Sequence, residues 1–178
     1  GALICTPVNP QCLLCPLNKH CRAFAHGEQD KLPIKQKQPK LPHYTIVVGI
    51  VYRNGRILID KRKQNALLGG LWEFPGGKKR KDETFKAAVA REVAEEADIA
   101  VDVNQRLCIV KHTYSHFKIT LHAYVCAYKN GTAAPLGCDA VKWVAPENLK
   151  KYAFPAANVK IIKTLMSERA FGGSGNGF

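Results

Sequence analysis

The sequence predicts an α/β protein, because short strand-like segments alternate with helix-like segments from residue 43 onward. Three patterns support this prediction: a β-branched apolar run over 44–52, a strict apolar/polar alternation over 117–128, and helical periodicity between 82 and 97. The chain has 178 residues, of which 46% are hydrophobic and 23% are charged. These values are typical of a folded domain and exclude wholesale disorder.

The first strands follow from apolar runs and turn residues. Residues 44–52 are almost continuously apolar, which predicts a strand buried on both faces. The dipeptide at 54–55, Asn-Gly, favours a tight hairpin into a second strand over 57–62. A short third strand over 71–74 is ended by the Pro-Gly-Gly sequence at 75–77.

The later elements are predicted in the same way. Asp82 is the expected cap of a helix that runs to about Ala97, with an apolar face made of Phe85, Ala88, Val89 and Val93. The alternation over 117–128 predicts a half-buried strand, with Lys118, Thr120, His122 and Tyr124 on its polar face. Residues 141–144 form another strand, Pro146 opens a short helix, and 156–169 form the closing helix.

Composition divides the chain into four zones. Residues 1–27 hold four cysteines and are too short to bury a core of their own. Residues 28–42 are polar and basic, and three prolines predict a semi-rigid linker. The folded domain is expected over 43–170, and the glycine-rich stretch 171–178 is expected to be a flexible tail.

The charge balance favours a polyanionic partner. Lys and Arg number 27 against 14 Asp and Glu, a net charge of +13. Nucleic acid is favoured over a membrane surface, although a solvated basic surface explains the charge equally well. No apolar run approaches the ~20 residues that a bilayer-spanning helix needs. We therefore expect a cytoplasmic monomer with no membrane association.

One helix carries an unusual concentration of acidic side chains. Glu92 and Glu96 are four positions apart and Glu95 is three positions from Glu92, so all three project from one side. Like charges at that spacing repel, and a divalent cation such as Mg²⁺ or Mn²⁺ would relieve the repulsion. The glycine-rich loop before the helix would let backbone approach an anion, and Arg91 would hold a carboxylate in place. An ordinary solvated helix face is the alternative.

The spacing around this helix resembles the Nudix box. Gly77, five residues, Glu83, seven residues, Arg91 and Glu92 fit the motif, and Asp98 stands where the motif has its late glycine. The resemblance implies an α/β/α sandwich with a mixed sheet, and hydrolysis of a nucleoside diphosphate linked to another moiety. The departure at Asp98 bears on loop geometry more than on metal chemistry.

By the same resemblance, the site residues would have defined roles. Glu92 would be the base or a metal ligand, Glu95 and Glu96 would be metal ligands, and Arg91 would orient Glu92. Gly77, Glu92, Glu95 and Glu96 would together surround Mg²⁺ or Mn²⁺.

Four of the seven cysteines, Cys5, Cys12, Cys15 and Cys21, lie within the first 21 residues of the chain. Four thiolates can hold Zn²⁺ or a [4Fe–4S] cluster, and sulfur ligation alone does not separate these. Four unrelated thiols are the remaining alternative. The spacing and surroundings resemble the iron–sulfur loop of helix-hairpin-helix DNA glycosylases, especially the MutY type, which implies a structural 4Fe-4S cluster.

A second segment resembles the same glycosylase family. Tyr114, Ser115 and His116 occupy the positions of the loop that inspects 8-oxoguanine opposite adenine in MutY-type enzymes. A hydroxyl and an imidazole can hydrogen-bond a base edge, and an aromatic ring can wedge into a base stack. Without the cysteine loop, a polar turn before a strand would be the simpler interpretation. The segment 154–163 resembles the closing helix of the family.

Two main hypotheses follow from these resemblances. The first is a DNA-repair module that recognises 8-oxoguanine:adenine in double-stranded DNA, beside the N-terminal glycosylase domain of the same parent chain, in the nucleoid. That parent enzyme would hydrolyse the N-glycosidic bond of the mispaired adenine. The second is a free-standing Mg²⁺-dependent Nudix hydrolase of oxidised nucleoside triphosphates such as 8-oxo-dGTP. A third combines lesion recognition with residual hydrolase activity.

Overall fold

The computed structural model describes residues 3–34 and 40–171, with side chains as far as residue 167. The chain forms two compact units, Gly1–Lys40 and Leu41–Phe178. Part of the linker expected over 28–42 and nearly all of the tail expected over 171–178 lie outside the described residues.

The first unit is made of short helical turns. They are the 3-10 turns Cys12–Leu14, Asn18–His20 and Gln29–Lys31, and the single-turn helix α1 (Arg22–Ala25). Three leucines of the cysteine loop are exposed, namely Leu13, Leu14 and Leu17. The unit therefore depends on local backbone hydrogen bonds rather than on a buried apolar core.

The second unit is built on a seven-stranded mixed sheet. Its strands are β1 (His43–Arg53), β2 (Arg56–Lys61), β3 (Trp72–Glu73), β4 (Gly76–Lys78), β5 (Ile99–Thr113), β6 (Lys118–Gly131) and β7 (Ala140–Val144). The main order is β3-β2-β1-β6-β5, with β4 paired to β1 and β7 paired to β2. Only the β1–β6 pair is parallel among the described strands.

One helix covers each face of this sheet. Helix α2 (Phe85–Ala97) buries Ala88, Val89 and Val93 in one core cluster, and helix α3 (Ala156–Phe171) buries Ala157, Ile161 and Leu165 in the other. The α/β/α sandwich with a mixed sheet is therefore confirmed. A 3-10 turn, Pro146–Lys151, precedes α3. In the part of the chain that the structure describes, no helix is long and apolar enough to cross a membrane.

Strand β1 is the centre of the sandwich. Residues Val47, Ile50 and Val51 are fully buried, as the apolar run over 44–52 predicts. Gly49 allows α2 to pack closely, because a Cβ at this position would lie 2.8 Å from Val93 Cγ2. Asn54 and Gly55 have φ angles of 49° and 72°, which confirms the tight hairpin into β2.

The prediction for the strand over 117–128 is only half right. The alternation holds through Leu121 and Ala123, but Tyr124 and Cys126 are also buried, against the α2 side of the sheet. β6 lies between β1 and β5, so its second half is covered on both faces. Strands β4 and β5 were not predicted. The pairing of β5 with β6 shifts register at three places, so the sequence of β5 shows no regular alternation of apolar and polar residues.

The ends of α2 differ from the sequence-based expectation. The cap is Thr84 rather than Asp82, since the Thr84 hydroxyl accepts a hydrogen bond from the Ala87 N–H at 3.2 Å. At the other end Asp98 has φ 55° and ψ 36°, and its N–H bonds the Ala94 carbonyl. Asp98 therefore keeps the left-handed exit that the motif glycine would give, because aspartate tolerates this conformation better than most residues.

We expect Thr84→Ala to lower the free energy of unfolding by about 1 kcal/mol, because the N–H of Ala87 loses its side-chain acceptor. Asp82→Ala serves as the matched control and should cost clearly less, since only its favourable charge near the helix N-terminus is lost. Urea denaturation at pH 7 measures both. Equal losses would show that the cap is not at Thr84.

Candidate functional site

A cavity of about 520 Å³ lies in the second unit and is lined by residues of the sheet, of α2 and of α3. Two motifs that are separate in sequence meet in its wall. The acidic helix contributes Glu92 and Glu96, and the loop between β5 and β6 contributes Tyr114 and His116. Ser115 is exposed and does not line the cavity. A volume of this size is typical of a small-molecule or nucleobase site.

Arg91 binds three carboxylates at once. Its Nη1 donates to Glu92 Oε1 at 2.8 Å and to Glu95 Oε2 at 2.9 Å, and its Nη2 donates to Glu83 Oε1 at 2.7 Å. The hydrogen bonds from Arg91 lower the pKa of Glu83 to about 2. One guanidinium thus offsets the repulsion that the spacing of these acids creates.

The glycine-rich segment brings backbone against these carboxylates. Gly77 lies on β4 opposite Val47, and a Cβ on Gly77 would overlap the carboxylate of Glu92. The neighbouring Gly76 N–H donates to Glu96 Oε2 at 2.8 Å. The glycine-rich backbone, which the sequence predicts to approach an external anion, instead contacts carboxylates of α2 in this structure.

Close to Glu96 and Glu73 of the cavity wall lies a buried acid, Asp60, that the sequence analysis did not identify. Burial is the main cause that raises the pKa of Glu96, to about 7, and nearby Glu73 and Glu92 add to it. Asp60 is 1% exposed, and neither of its carboxylate oxygens has a hydrogen-bond partner among the described residues. Burial, followed by the charges of Glu96 and Glu73, raises the pKa of Asp60 well above its usual value. The signal in the sequence is an acid that directly follows the apolar residues 57–59 of β2.

The acidic helix offers only part of a metal site. Within residues 3–34 and 40–171, no three His, Cys, Asp or Glu side chains form a group that could hold a metal ion. Both oxygens of Glu95 accept hydrogen bonds from arginines, whereas Glu92 Oε2 and Glu96 Oε1 have no donor in this described part. Two carboxylate oxygens suit Mg²⁺ that arrives with a nucleotide, since this ion takes its other ligands from water and phosphate.

None of the four cysteines of the first unit is in a disulfide. Cys5 is exposed, and Cys12, Cys15 and Cys21 are half-buried. Burial raises the pKa of the Cys12 thiol, and electrostatic interaction with Cys21, Cys5 and Cys15 raises it further. The thiols therefore lie within electrostatic reach of one another. Soft sulfur donors suit an iron–sulfur cluster or zinc, although the described thiols do not form a ready-made metal group.

Aromatic rings form one wall of the cavity. Tyr114 stacks on Phe117 with ring centroids 4.7 Å apart, and His112 meets Tyr114 edge-on at 4.6 Å. Tyr44 lies 6.1 Å from Phe117 and carries the Lys78 Nζ over its face at 4.0 Å. Tyr114 is therefore packed into the wall of the cavity in this structure, and its role in reading a base remains a prediction. His116 is exposed at the mouth.

Two further polar residues of the cavity were missed by the sequence analysis. Asn158, on α3, is 4% exposed, and its Oδ1 accepts a hydrogen bond from the Phe74 N–H at 3.5 Å. Arg62, at the end of β2, pairs with Glu73. The sequence around Asn158 does not reveal its place in the cavity, because the residues that it contacts lie far away in the chain.

The comparisons with known proteins agree with this arrangement. A family model described as the NUDIX domain matches residues 46–164, and a model of the iron-sulfur binding domain of endonuclease III matches residues 5–21. The chain therefore belongs to the Nudix family, and its amino-terminal segment matches an iron–sulfur module.

Individual relatives fall into two groups. The chain is 32% identical to a CTP pyrophosphohydrolase of Escherichia coli over 70% of this chain and 93% of that one. It is 29% identical to an 8-oxo-dGTP diphosphatase of Buchnera aphidicola, over 70% and 95%. It is also 23% identical to an adenine DNA glycosylase of Rattus norvegicus, over 95% of this chain but only 42% of the relative.

A solved structure confirms the fold of the second unit. The solution structure of the E. coli ORF135 protein matches with a TM-score of 0.64 at 29% identity. The match covers 76% of this chain and 97% of that one.

We expect Asp60→Asn to reduce the pH dependence of stability. The raised pKa of Asp60 means that the folded state holds a proton which the unfolded chain releases above about pH 4, so folding weakens as pH rises. The variant should gain stability relative to the natural chain between pH 4 and pH 7. Its denaturation midpoints at those pH values measure the gain. Asp102→Asn, at an exposed ion pair, is the control. If stability depends on pH in the same way in Asp60→Asn and in the natural chain, Asp60 is not the source of the pH dependence.

Proposed function

We propose that this chain recognises 8-oxoguanine opposite adenine in duplex DNA, as the C-terminal part of a MutY-type adenine DNA glycosylase. The observation that carries the proposal is the presence of an iron–sulfur module and a Nudix domain on one chain. The match to the rat adenine DNA glycosylase runs through both segments, since it covers 95% of this chain. The parent enzyme would act on chromosomal DNA in the nucleoid.

The cavity supports a base-reading role. The stacked rings of Tyr114 and Phe117 give a planar apolar wall. Asn158 and His116 supply amide and imidazole groups that can hydrogen-bond a base edge, and Ser115 adds a hydroxyl beside the mouth. Such groups distinguish bases by their donor and acceptor pattern, which is how 8-oxoguanine differs from guanine.

Positive charge would hold the DNA backbone. The loop from β4 to α2 carries four consecutive cations at 78–81, and the chain as a whole carries +13. Contacts of lysine and arginine with phosphates give affinity without sequence preference, so they position the duplex while the cavity reads the base. Excision of adenine would belong to the N-terminal glycosylase domain of the parent chain, and a 4Fe-4S cluster held by the four cysteines would stabilise the first unit.

The first test replaces the exposed polar groups of the loop. We expect Ser115→Ala with His116→Ala to reduce the preference for 8-oxoguanine:adenine over guanine:adenine duplexes by roughly tenfold, because two base-edge hydrogen bonds are lost. Binding to undamaged duplex should change little, since the phosphate contacts remain. Fluorescence anisotropy at fixed salt measures both affinities.

A matched control is Thr164→Ala, which removes a hydroxyl on α3 that bonds the backbone and lies outside the cavity wall. If the natural chain binds both duplexes equally, lesion recognition by this chain is wrong.

The second candidate is a Mg²⁺-dependent Nudix hydrolase of oxidised nucleoside triphosphates, with 8-oxo-dGTP as the first substrate to test. The specific observation in its favour is that Arg91 fixes Glu92 while Glu92 Oε2 and Glu96 Oε1 face no protein donor among the described residues. Bound Mg²⁺ would neutralise phosphate charge. Arg91 would keep Glu92 oriented, and the aromatic wall would hold the base.

Under this second candidate we expect Glu92→Gln to lower the rate of pyrophosphate release at least a hundredfold, because a carboxylate that binds metal or takes a proton is lost. Release is measured with 8-oxo-dGTP and CTP in Mg²⁺ and in Mn²⁺. Asp102→Asn should leave the rate unchanged. Absence of metal-dependent turnover in the natural chain would eliminate this candidate and leave the first intact.

A further inference from the structure

The loop between β2 and β3 presents two leucines at the rim of the cavity. Leu67 is 62% exposed and Leu68 is 37% exposed, and both line the cavity mouth. Exposed leucines are ordinary when they are scattered, but an adjacent pair at the edge of a binding cavity is a candidate contact surface. We call these two residues the leucine tip.

The loop that carries the tip is tightly constructed. The Arg62 Nε donates to the Leu67 carbonyl at 2.7 Å, and the Gly70 N–H donates to the Arg62 carbonyl at 3.1 Å. A Cβ on Gly69 would overlap the carbonyl of Gln64, so the turn needs glycine there. The tip is therefore held in one place by backbone hydrogen bonds and by the same arginine that faces the cavity.

Leu68 also has an unfavourable backbone conformation. Its φ angle is 59°, in the left-handed region that bulky residues rarely adopt. Glycine, which adopts this conformation without strain, occupies positions 69 and 70 but not position 68. A leucine kept exposed in a strained conformation indicates that its side chain is used at this position.

The chemistry around the tip selects the partner. Lys61 and Lys63 flank the loop, and Lys78 lines the same cavity. This combination of cations and exposed leucines suits a DNA duplex. The cations can bind its phosphates, and the leucine side chains can insert between its stacked bases. We propose that the leucine tip inserts into the duplex at the base step next to the base read by the cavity. This inference rests on the proposed DNA-recognition function.

Insertion has a direct optical consequence. A duplex with 8-oxoguanine:adenine and 2-aminopurine one step away should become more fluorescent when the natural chain binds, because the probe base is unstacked. Leu67→Ser should abolish most of this increase and weaken duplex binding about tenfold, since the burial of one leucine side chain is lost. Leu67 is exposed, so the substitution should leave the thermal midpoint of unfolding unchanged.

The matched control is Leu136→Ser, at a leucine that is 56% exposed and outside the cavity wall. This variant should behave like the natural chain in fluorescence and in affinity. Binding of the mononucleotide 8-oxo-dGMP, followed by tyrosine and tryptophan fluorescence, should weaken much less than duplex binding in Leu67→Ser. An equal loss for the mononucleotide and the duplex would mean that the tip covers the base in the cavity, and would overturn insertion.

The outcomes separate this inference from the proposed function. Preferential binding of 8-oxoguanine:adenine without a 2-aminopurine signal would keep lesion recognition and overturn insertion. Equal binding of damaged and undamaged duplexes by the natural chain would overturn both. A signal that Leu67→Ser removes and Leu136→Ser retains would support both.

Discussion

The close packing of α2 against β1 and β4 is the constraint on which the rest of the second unit depends. Gly49 lets Val93 approach the centre of the sheet, and Gly77 lets the carboxylate of Glu92 lie over the backbone of β4. Any side chain at these glycines would push the helix outward. The close backbone packing at these two glycines therefore positions the acids of α2, and their ion pairs act on side chains that are already in place.

Hydrogen bonding and burial shift the pKa values of two acids at this site, Glu83 and Glu96, in opposite directions. Arg91 donates hydrogen bonds to Glu83, Glu92 and Glu95, and this pairing lowers the pKa of Glu83 to about 2. Burial has the larger effect on Glu96 and raises its pKa to about 7. Carboxyl groups that pair with a guanidinium therefore lie close to a buried carboxyl group with a raised pKa, and this difference in surroundings gives neighbouring acids different chemistry.

The two functional hypotheses use the same cavity, and the relatives fall into two corresponding groups. Under either proposal a base would stack on Tyr114 and Phe117, whether it belongs to a free nucleotide or to DNA. The difference lies outside the cavity: a hydrolase needs Mg²⁺ beside Glu92 and Glu96, whereas a DNA reader needs a rim that accepts a duplex. The iron–sulfur match and the exposed rim favour the DNA reader.

The sequence by itself determined the α/β class, the hairpin at Asn54-Gly55, the apolar face of α2 and the common side of Glu92, Glu95 and Glu96. These features depend on residues within a few turns or one strand of each other, so periodicity reveals them. The half-buried prediction for β6 failed because burial of its second half depends on β1, β5 and α2 together.

Tertiary structure alone decided that the acidic helix and the loop at 114–116 meet in one cavity, that Asp60 is buried close to its wall, and that Asn158 and the leucine tip lie at its wall and rim. The parallel pairing of β1 with β6 brings these segments together. Contacts between residues so far apart in the chain are fixed by sheet register and helix packing, which leave no local pattern in the sequence.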